Sequence, residues 1–218
     1  MANYWLTIAL LLNVTAAGTF ADEPAKVLFA ESFGEKLDSD WTWVRENCMA
    51  WRLEKNALIV RPQPGYLHAN YNNSQNILLR PVPDTKSFAV EVCLESEPQA
   101  QYEHAGLVLY YDDDNYVALF REFLNGTRKL QMVAEKAGKP QFAVKPSDAK
   151  PVWLRLEIAD EKLTARFREL EKHEWTTVGI MALPSNGKAK VGIMSGGTPK
   201  DAVRSVSFKD LRVLQLPK

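Results

Sequence analysis

Residues 86–96 read Lys-Ser-Phe-Ala-Val-Glu-Val-Cys-Leu-Glu-Ser, and their large apolar side chains recur at every second position. Glu91 and Glu95 occupy positions between them. Successive side chains of a β-strand point to opposite faces, so this pattern predicts a strand with one face in a core. The positions assigned to that core face are Phe88, Val90, Val92 and Leu94.

The same period of two recurs along most of the chain. Residues 105–111 and 115–122 form a predicted hairpin around the polar turn Asp112-Asp113-Asp114, and residues 152–158 and 163–170 form another around Asp160-Glu161. No long amphipathic helix is evident, and Gly, Pro and Asn separate the apolar runs at short intervals. The sequence therefore predicts an all-β fold, a two-sheet antiparallel jelly-roll sandwich. Further strands are predicted at 27–33, 41–45, 51–54, 57–61, 77–80, 129–134, 174–178, 190–195 and 205–214.

Composition narrows the function classes. The chain has 218 residues, in which 27 Lys and Arg balance 27 Asp and Glu. This neutrality argues against broad binding to nucleic-acid backbones. The two cysteines and three scattered histidines argue against a disulfide scaffold or a zinc site. Whether Cys48 and Cys93 pair or stay free is left open by the sequence.

The first 21 residues carry a short apolar run over residues 6–14, followed by small residues that end in Thr-Phe-Ala. This order is typical of a secretory signal cleaved after Ala21, with a retained N-terminal anchor as the alternative. We therefore expect a signal peptide at 1–21, one domain at 22–218, and a secreted, periplasmic or cell-envelope location. The apolar run is shorter than the roughly 20 residues that span a membrane.

Aromatic and amide side chains are concentrated between residues 41 and 80. Aromatic rings stack on the C–H faces of sugars, while amides, carboxylates and guanidinium groups bond their hydroxyls. The sequence thus favours a glycan or polysaccharide as partner, although tryptophans in sandwiches also serve as core residues and Asn-rich loops as turns. The candidate ligand-binding residues are Trp43, Arg45, Tyr66, His68, Asn73, Asn76, Tyr110, Tyr116 and Glu122.

Two other functions stay open at this stage. One is a glycoside hydrolase or polysaccharide lyase that uses Glu122 with His104 or Glu103, because cross-strand partners can approach closely. The other is a structural or interaction domain of the cell envelope with its aromatic residues in the core. We expect no obligatory cofactor.

Two sets of acidic residues are candidate calcium sites. The turn at Asp112-Asp113-Asp114 lacks the glycine that a calcium-binding EF-hand loop needs at its sixth position. A tight acidic turn is the better explanation. Glu31 near the first strand and Asp210 near the last form a weaker calcium candidate.

Three segments resemble one known group of domains. They are residues 41–46 (Trp-Thr-Trp-Val-Arg-Glu), residues 72–81 (Asn-Asn-Ser-Gln-Asn-Ile-Leu-Leu-Arg-Pro), and residues 105–117 with Glu122. Together they resemble the concanavalin A-like lectin/glucanase superfamily, and within it secreted domains similar to the C-terminal domain of family 43 β-xylosidases. The resemblance implies a jelly roll with one concave face and a carbohydrate-related role that is often non-catalytic. The E-x-D-x-x-E strand of family 16 glucanases has no counterpart, which counts against hydrolysis.

Overall fold

The computed structural model describes residues 25–82, 85–185 and 187–217. The predicted signal segment 1–21 lies outside these residues. Within them, the chain forms short and medium strands, one 3₁₀ turn at Cys48–Ala50, and no helix long and apolar enough to cross a membrane. The strands are β1 (Lys26–Glu31), β2 (Thr42–Val44), β3 (Trp51–Leu53), β4 (Leu58–Val60), β5 (Leu67–His68), β6 (Tyr71–Asn72), β7 (Ile77–Pro81), β8 (Phe88–Glu95), β9 (His104–Asp112), β10 (Asn115–Leu124), β11 (Thr127–Lys136), β12 (Lys139–Pro146), β13 (Val152–Ala159), β14 (Lys162–Arg168), β15 (Thr176–Ala182), β16 (Lys190–Gly196) and β17 (Val206–Gln215).

Two antiparallel sheets form the sandwich, which confirms the predicted fold class. One sheet has eight strands, in the order β15-β14-β13-β8-β17-β4-β3, with β1 also paired to β17. The other has seven, in the order β12-β11-β10-β9-β16-β7-β2. The small hairpin β5-β6 stands apart from both.

The main core lies between the sheets. All four apolar positions assigned to the core face of β8 are buried in it. From the opposite sheet, Val117 and Leu119 of β10 reach the same core. Full burial of such side chains contributes roughly 1.5–3 kcal/mol each to folding, so this layer supplies most of the driving force.

The first and last strands lie together. β1 pairs with β17 from Lys26 opposite Gln215 to Glu31 opposite Leu211, with one irregularity near Phe29. The chain therefore enters and leaves the described domain at one part of the eight-stranded sheet.

The outer face of the eight-stranded sheet is less solvated than its alternating Glu residues suggest. Glu91 is buried there between Arg155 and Arg212, and Arg155 also bonds Glu157. Trp153 lies under the guanidinium of Arg212, 5.1 Å from the ring centroid. Paired charges thus replace water over the middle of this face.

Three strands, β5, β6 and β12, were missing from the sequence prediction. β12 contains Pro140 and Pro146, and proline in a sequence is more typical of a turn than of a strand. The strand forms nevertheless because it lies at the edge of its sheet, where a missing N–H is tolerated. The two-residue strands β5 and β6 are too short to show a period.

Cys48 and Cys93, whose pairing the sequence leaves open, are not joined in a disulfide. Cys48 is exposed and Cys93 is half-buried on β8, and both thiols are free. Burial, with a smaller contribution from the charge of Asp210, raises the pKa of the Cys93 thiol to about 11.

Candidate functional site: a cavity on the outer face of the seven-stranded sheet

Strand register brings two polar residues together on this sheet. β9 and β10 form a hairpin whose turn is the predicted acidic stretch, with Asn115 opposite Asp112. Counting along the ladder from that turn places Glu122 directly opposite His104. Side chains of directly opposed residues lie on the same face of a sheet. Here that face points away from the main core.

A hollow of about 750 Å³ lies over this face. Its floor comes from β9, β10 and β11, one wall comes from edge strand β12, and the other comes from the β5-β6 hairpin and the loop before β9. The lining is mainly aromatic and aliphatic, with few polar groups. It consists of Tyr66, Leu67, His68, Tyr71, Tyr102, His104, Tyr116, Phe120, Glu122, Leu124, Gln131, Val133, Phe142 and Val144.

The hairpin wall is fastened to the sheet by polar contacts. The backbone N–H of Ala69 donates to both carboxylate oxygens of Glu135, at 3.1 and 3.0 Å. The hydroxyl of Tyr116 donates to the carbonyl of Leu67. The N–H of Gly197 donates to the Gly65 carbonyl at 2.9 Å. These bonds hold the hairpin at a fixed height, which gives the cavity a defined width.

Aromatic rings surround the two polar residues. The His104 ring lies 4.5 Å from the ring of Phe120 and 6.5 Å from that of Tyr66, measured between centroids. Tyr66 also meets Tyr102 edge-on, at 6.3 Å. Across the cavity, His68 and Phe142 lie 5.8 Å apart. Flat faces therefore border the space from both walls.

Glu122 is only 5% exposed, and its Oε2 has no hydrogen-bond partner. Burial raises the pKa of this carboxyl to about 7 from an ordinary value of 4.5, and the charge of Lys129 opposes the rise only in part. A buried acceptor without a partner is costly, so such groups usually serve a ligand or water. Glu122 lines the cavity and therefore brings unused hydrogen-bonding capacity to it.

His104 has a matching free atom. Its Nδ1 lies 2.8 Å from the carbonyl of Tyr102, which can only accept, so the proton is on Nδ1 when the ring is neutral. Burial lowers the pKa of His104, although the Tyr102 carbonyl and the Glu103 charge act in the opposite direction. The neutral ring presents its buried, unpartnered Nε2 as an acceptor.

Four of the nine residues proposed as ligand-binding line the cavity: Tyr66, His68, Tyr116 and Glu122. His104, named from the sequence as a catalytic candidate, lines it as well. Tyr116 contributes its ring while its hydroxyl is held by Leu67.

Four other proposed residues shape the loops beside the cavity. Arg45 grips Asp113 with two hydrogen bonds, of 2.7 and 2.9 Å, and Asp113 also accepts from the Tyr110 hydroxyl at 2.8 Å. Asn73 Oδ1 accepts from the N–H of Tyr66 at 2.9 Å. Asn76 is buried and its Oδ1 accepts from the N–H of Asn47 at 2.7 Å. Their polar atoms are engaged within the protein.

Trp43, the last of the nine, lies outside the cavity. It packs against the main core from β2, and its ring lies 5.0 Å from that of Trp51. Trp41 is buried, and its Nε1 donates to Glu31. The tryptophan-rich stretch that suggested sugar stacking thus packs at the edge of the core.

The remaining candidates are also occupied by protein contacts. Glu103 turns away from His104 and accepts from Arg204 at 2.9 and 2.8 Å. Glu31 accepts from the N–H of Phe33 at 2.8 Å and from Trp41 at 2.9 Å. Asp210 is an exposed residue that immediately precedes Leu211, the strand partner of Glu31. Among the described residues, no three His, Cys, Asp or Glu side chains group as metal ligands.

Several lining residues were not singled out from the sequence. Phe120 and Gln131 sit directly opposite each other on β10 and β11, and Phe142 and Val144 belong to the unpredicted edge strand. The alternation of Tyr116, Ala118 and Phe120 was visible, but both faces of β10 are apolar, so it did not reveal the outward face.

Comparison with known protein families bears on this site. The family described as "Beta xylosidase C-terminal Concanavalin A-like domain" matches residues 30–192. The chain belongs to this family. The match covers β2 to β15 together with the part of β16 that borders β7 and β9, so it includes both walls of the cavity. No curated protein sequence matches the chain.

Solved structures of the family's enzymes share the fold. The GH43 protein BlXynB from Bacillus licheniformis superimposes with a TM-score of 0.76 at 20% identity, over 86% of this chain and 39% of that one. The xylan beta-1,4-xylosidase from Bacillus halodurans C-125 gives 0.73 at 21%, over 93% and 41%. The chain spans about two fifths of the length of these relatives.

A third structure is similar in length to this chain. It is a functionally unknown protein from Saccharomyces cerevisiae, with a TM-score of 0.68 at 18% identity, over 83% of this chain and 98% of that one. At these identities the neighbours establish the fold of the domain.

Proposed function

We propose that this domain binds a carbohydrate chain in the cavity between the β5-β6 hairpin and strand β12. The observation that carries the proposal is the pairing of aromatic walls with two buried polar atoms that lack partners, Glu122 Oε2 and His104 Nε2. Membership in a family named for β-xylosidases supports a carbohydrate ligand.

The chemistry of the lining fits a sugar ring. Rings such as Tyr66 and Phe142 offer flat apolar faces to the C–H groups of a pyranose. Glu122, His104 and the amide of Gln131 offer hydrogen bonds to its hydroxyls. A site with mostly apolar walls and a few fixed polar groups is typical of small-ligand binding.

Isothermal titration against a panel of soluble oligosaccharides, with pull-down on insoluble polysaccharides, tests the proposal. We expect saturable binding that Phe142→Ala weakens by about 1–3 kcal/mol. Phe142 is half exposed, so its truncation leaves the fold intact. Trp175→Ala is the matched control, because Trp175 stacks on Arg168 and lies outside the cavity lining. Absence of binding to every glycan contradicts the proposal.

A second candidate function is hydrolysis or elimination at the same site. It is favoured by one observation, the buried carboxyl of Glu122 with its pKa raised to about 7, which is a common property of catalytic acids. Incubation with polysaccharides, followed by assays for reducing ends and unsaturated products, tests it. Product formation that Glu122→Gln abolishes supports catalysis, and unchanged product formation removes Glu122 from that role.

We also propose that the domain acts outside the cytoplasm. The support is the order of apolar and small residues over 1–21, with cleavage expected after Ala21. N-terminal sequencing of the protein recovered from its native host tests this, and an uncleaved Met1 in that material speaks against a cleaved signal.

A further inference from the structure

Positive charge is missing from the cavity lining. The described residues that line it include one carboxyl group, two histidines and four tyrosines, but no Lys or Arg. Of the two histidines, His104 is held neutral by burial. The acidic group, Glu122, is one of the most enclosed polar residues of the site.

The basic residues around Glu122 do not line the cavity. Arg121 precedes Glu122 but points to the opposite face of β10, where it donates to the carbonyl of Ala149. Arg45 is paired with Asp113 at the end of the acidic turn. Lys129 faces Glu122 across the strands and attracts it, yet its side chain is not part of the cavity lining.

A second carboxylate adds to the negative character of the site. Glu135 is fully buried beneath the hairpin, and it bonds the N–H of Ala69 and faces the hydroxyl of Tyr116. It is satisfied by neutral donors, so its charge is not cancelled by a cation within these contacts. An anion placed over β10 would therefore meet two carboxylates.

From this arrangement we infer that Glu122 is a specificity-determining residue, which admits uncharged sugars to the cavity and rejects uronic-acid or sulfated ones. The inference rests on the proposed carbohydrate function. A neutral sugar hydroxyl donates to Glu122 and to His104 Nε2, whereas a sugar carboxylate brings a like charge to a cavity whose lining carries no Lys or Arg. Like charges in such surroundings disfavour each other strongly.

The test compares matched neutral and anionic ligands at pH 8.5, which lies above the raised pKa of Glu122, so that this carboxyl is ionised. Suitable pairs are a galacturonan oligomer and its methyl ester, dextran and dextran sulfate, and xylotetraose with and without a glucuronic acid branch. We expect at least about tenfold tighter binding of the neutral member. Glu122→Gln should narrow that ratio by raising the affinity for the anionic member.

Glu97→Gln is the control, because Glu97 is half exposed, pairs with Lys150 and lies outside the cavity. It should leave the ratio unchanged. Equal or tighter binding of anionic sugars by the unaltered protein overturns the inference and leaves the proposed function standing. Absence of binding by both members of every pair overturns the proposed function itself.

Discussion

His104 and Glu122 are directly opposed on strands β9 and β10, both line the same cavity, and each has a buried polar atom without a hydrogen-bond partner. Seventeen residues, 105–121, lie between them along the hairpin, and the strand ladder fixes their register. The pair is thus positioned by the backbone rather than by contacts of its own.

The buried Glu122 predicts a specific pH dependence of stability. Its folded pKa of about 7 exceeds the ordinary value of 4.5, so the folded protein holds this proton more tightly than the unfolded chain. The stabilisation is complete below pH 4.5 and is lost as the pH rises through 7, for a total of about 3 kcal/mol. Urea unfolding at pH 5 and pH 8 should show that Glu122→Gln removes this loss, whereas Glu97→Gln retains it. Parallel pH slopes for Glu122→Gln and the unaltered protein would contradict the raised pKa.

Glu103 predicts the opposite dependence. Burial raises the pKa of its carboxyl. Hydrogen bonds from Arg204 and from the N–H groups of Gln99 and Ala100 lower this pKa by more than burial raises it, so the net shift is downward. Its stabilisation is present above the unfolded pKa and is lost as the pH falls. We expect Glu103→Gln to lower the free energy of unfolding by about 2 kcal/mol at pH 7 and by less at pH 3. A constant difference between these two pH values would show that the carboxylate charge is not the cause.

Position 106, in the floor of the cavity, has no room for a side chain. A Cβ added there would lie 1.9 Å from the carbonyl oxygen of Leu119 on the neighbouring strand. Because that neighbour is backbone, we expect Gly106→Ala to lower thermal stability severely or to prevent folding. Gly34→Ala is the control, since its nearest atom would lie 3.9 Å away. Circular dichroism melting of both variants measures the contrast, and similar melting temperatures would refute it.

The two thiols predict a difference in reactivity. Cys48 is exposed, whereas Cys93 is half-buried with a pKa raised to about 11. Because the thiolate is the reacting species, Ellman's reagent at pH 8 should modify Cys48 quickly and Cys93 only after unfolding. Cys48→Ser should remove the fast phase. A single fast phase for both thiols would show that Cys93 is not protected.

Much of this fold was predictable because the apolar side chains that are buried in the core recur at every second position along the strands. Residues 86–96 contain β8, and the positions assigned to its core face are all buried. The turn at Asp160-Glu161 was also readable, and both residues have positive φ angles, of 50° and 60°. Local chemistry decides such features.

The site was harder to predict because it depends on which face of a strand points outward. Tyr66 and Trp43 are both aromatic residues of the same aromatic-rich segment. Tyr66 lines the cavity, whereas Trp43 packs against the main core. β10 is buried on both faces, so its composition does not distinguish the core side from the cavity side. Only the pairing of non-adjacent strands settles this, and pairing is a long-range property.

The cavity's outer wall is an edge strand. Phe142 and Val144 project from β12, whose far side has no neighbouring strand within the described sheet. Phe142 is 50% exposed and Val144 41%, and side chains of that kind can be exchanged with little effect on folding. Substitutions confined to this one edge strand can therefore change the shape and lining of the cavity while the main core between the sheets stays unaltered.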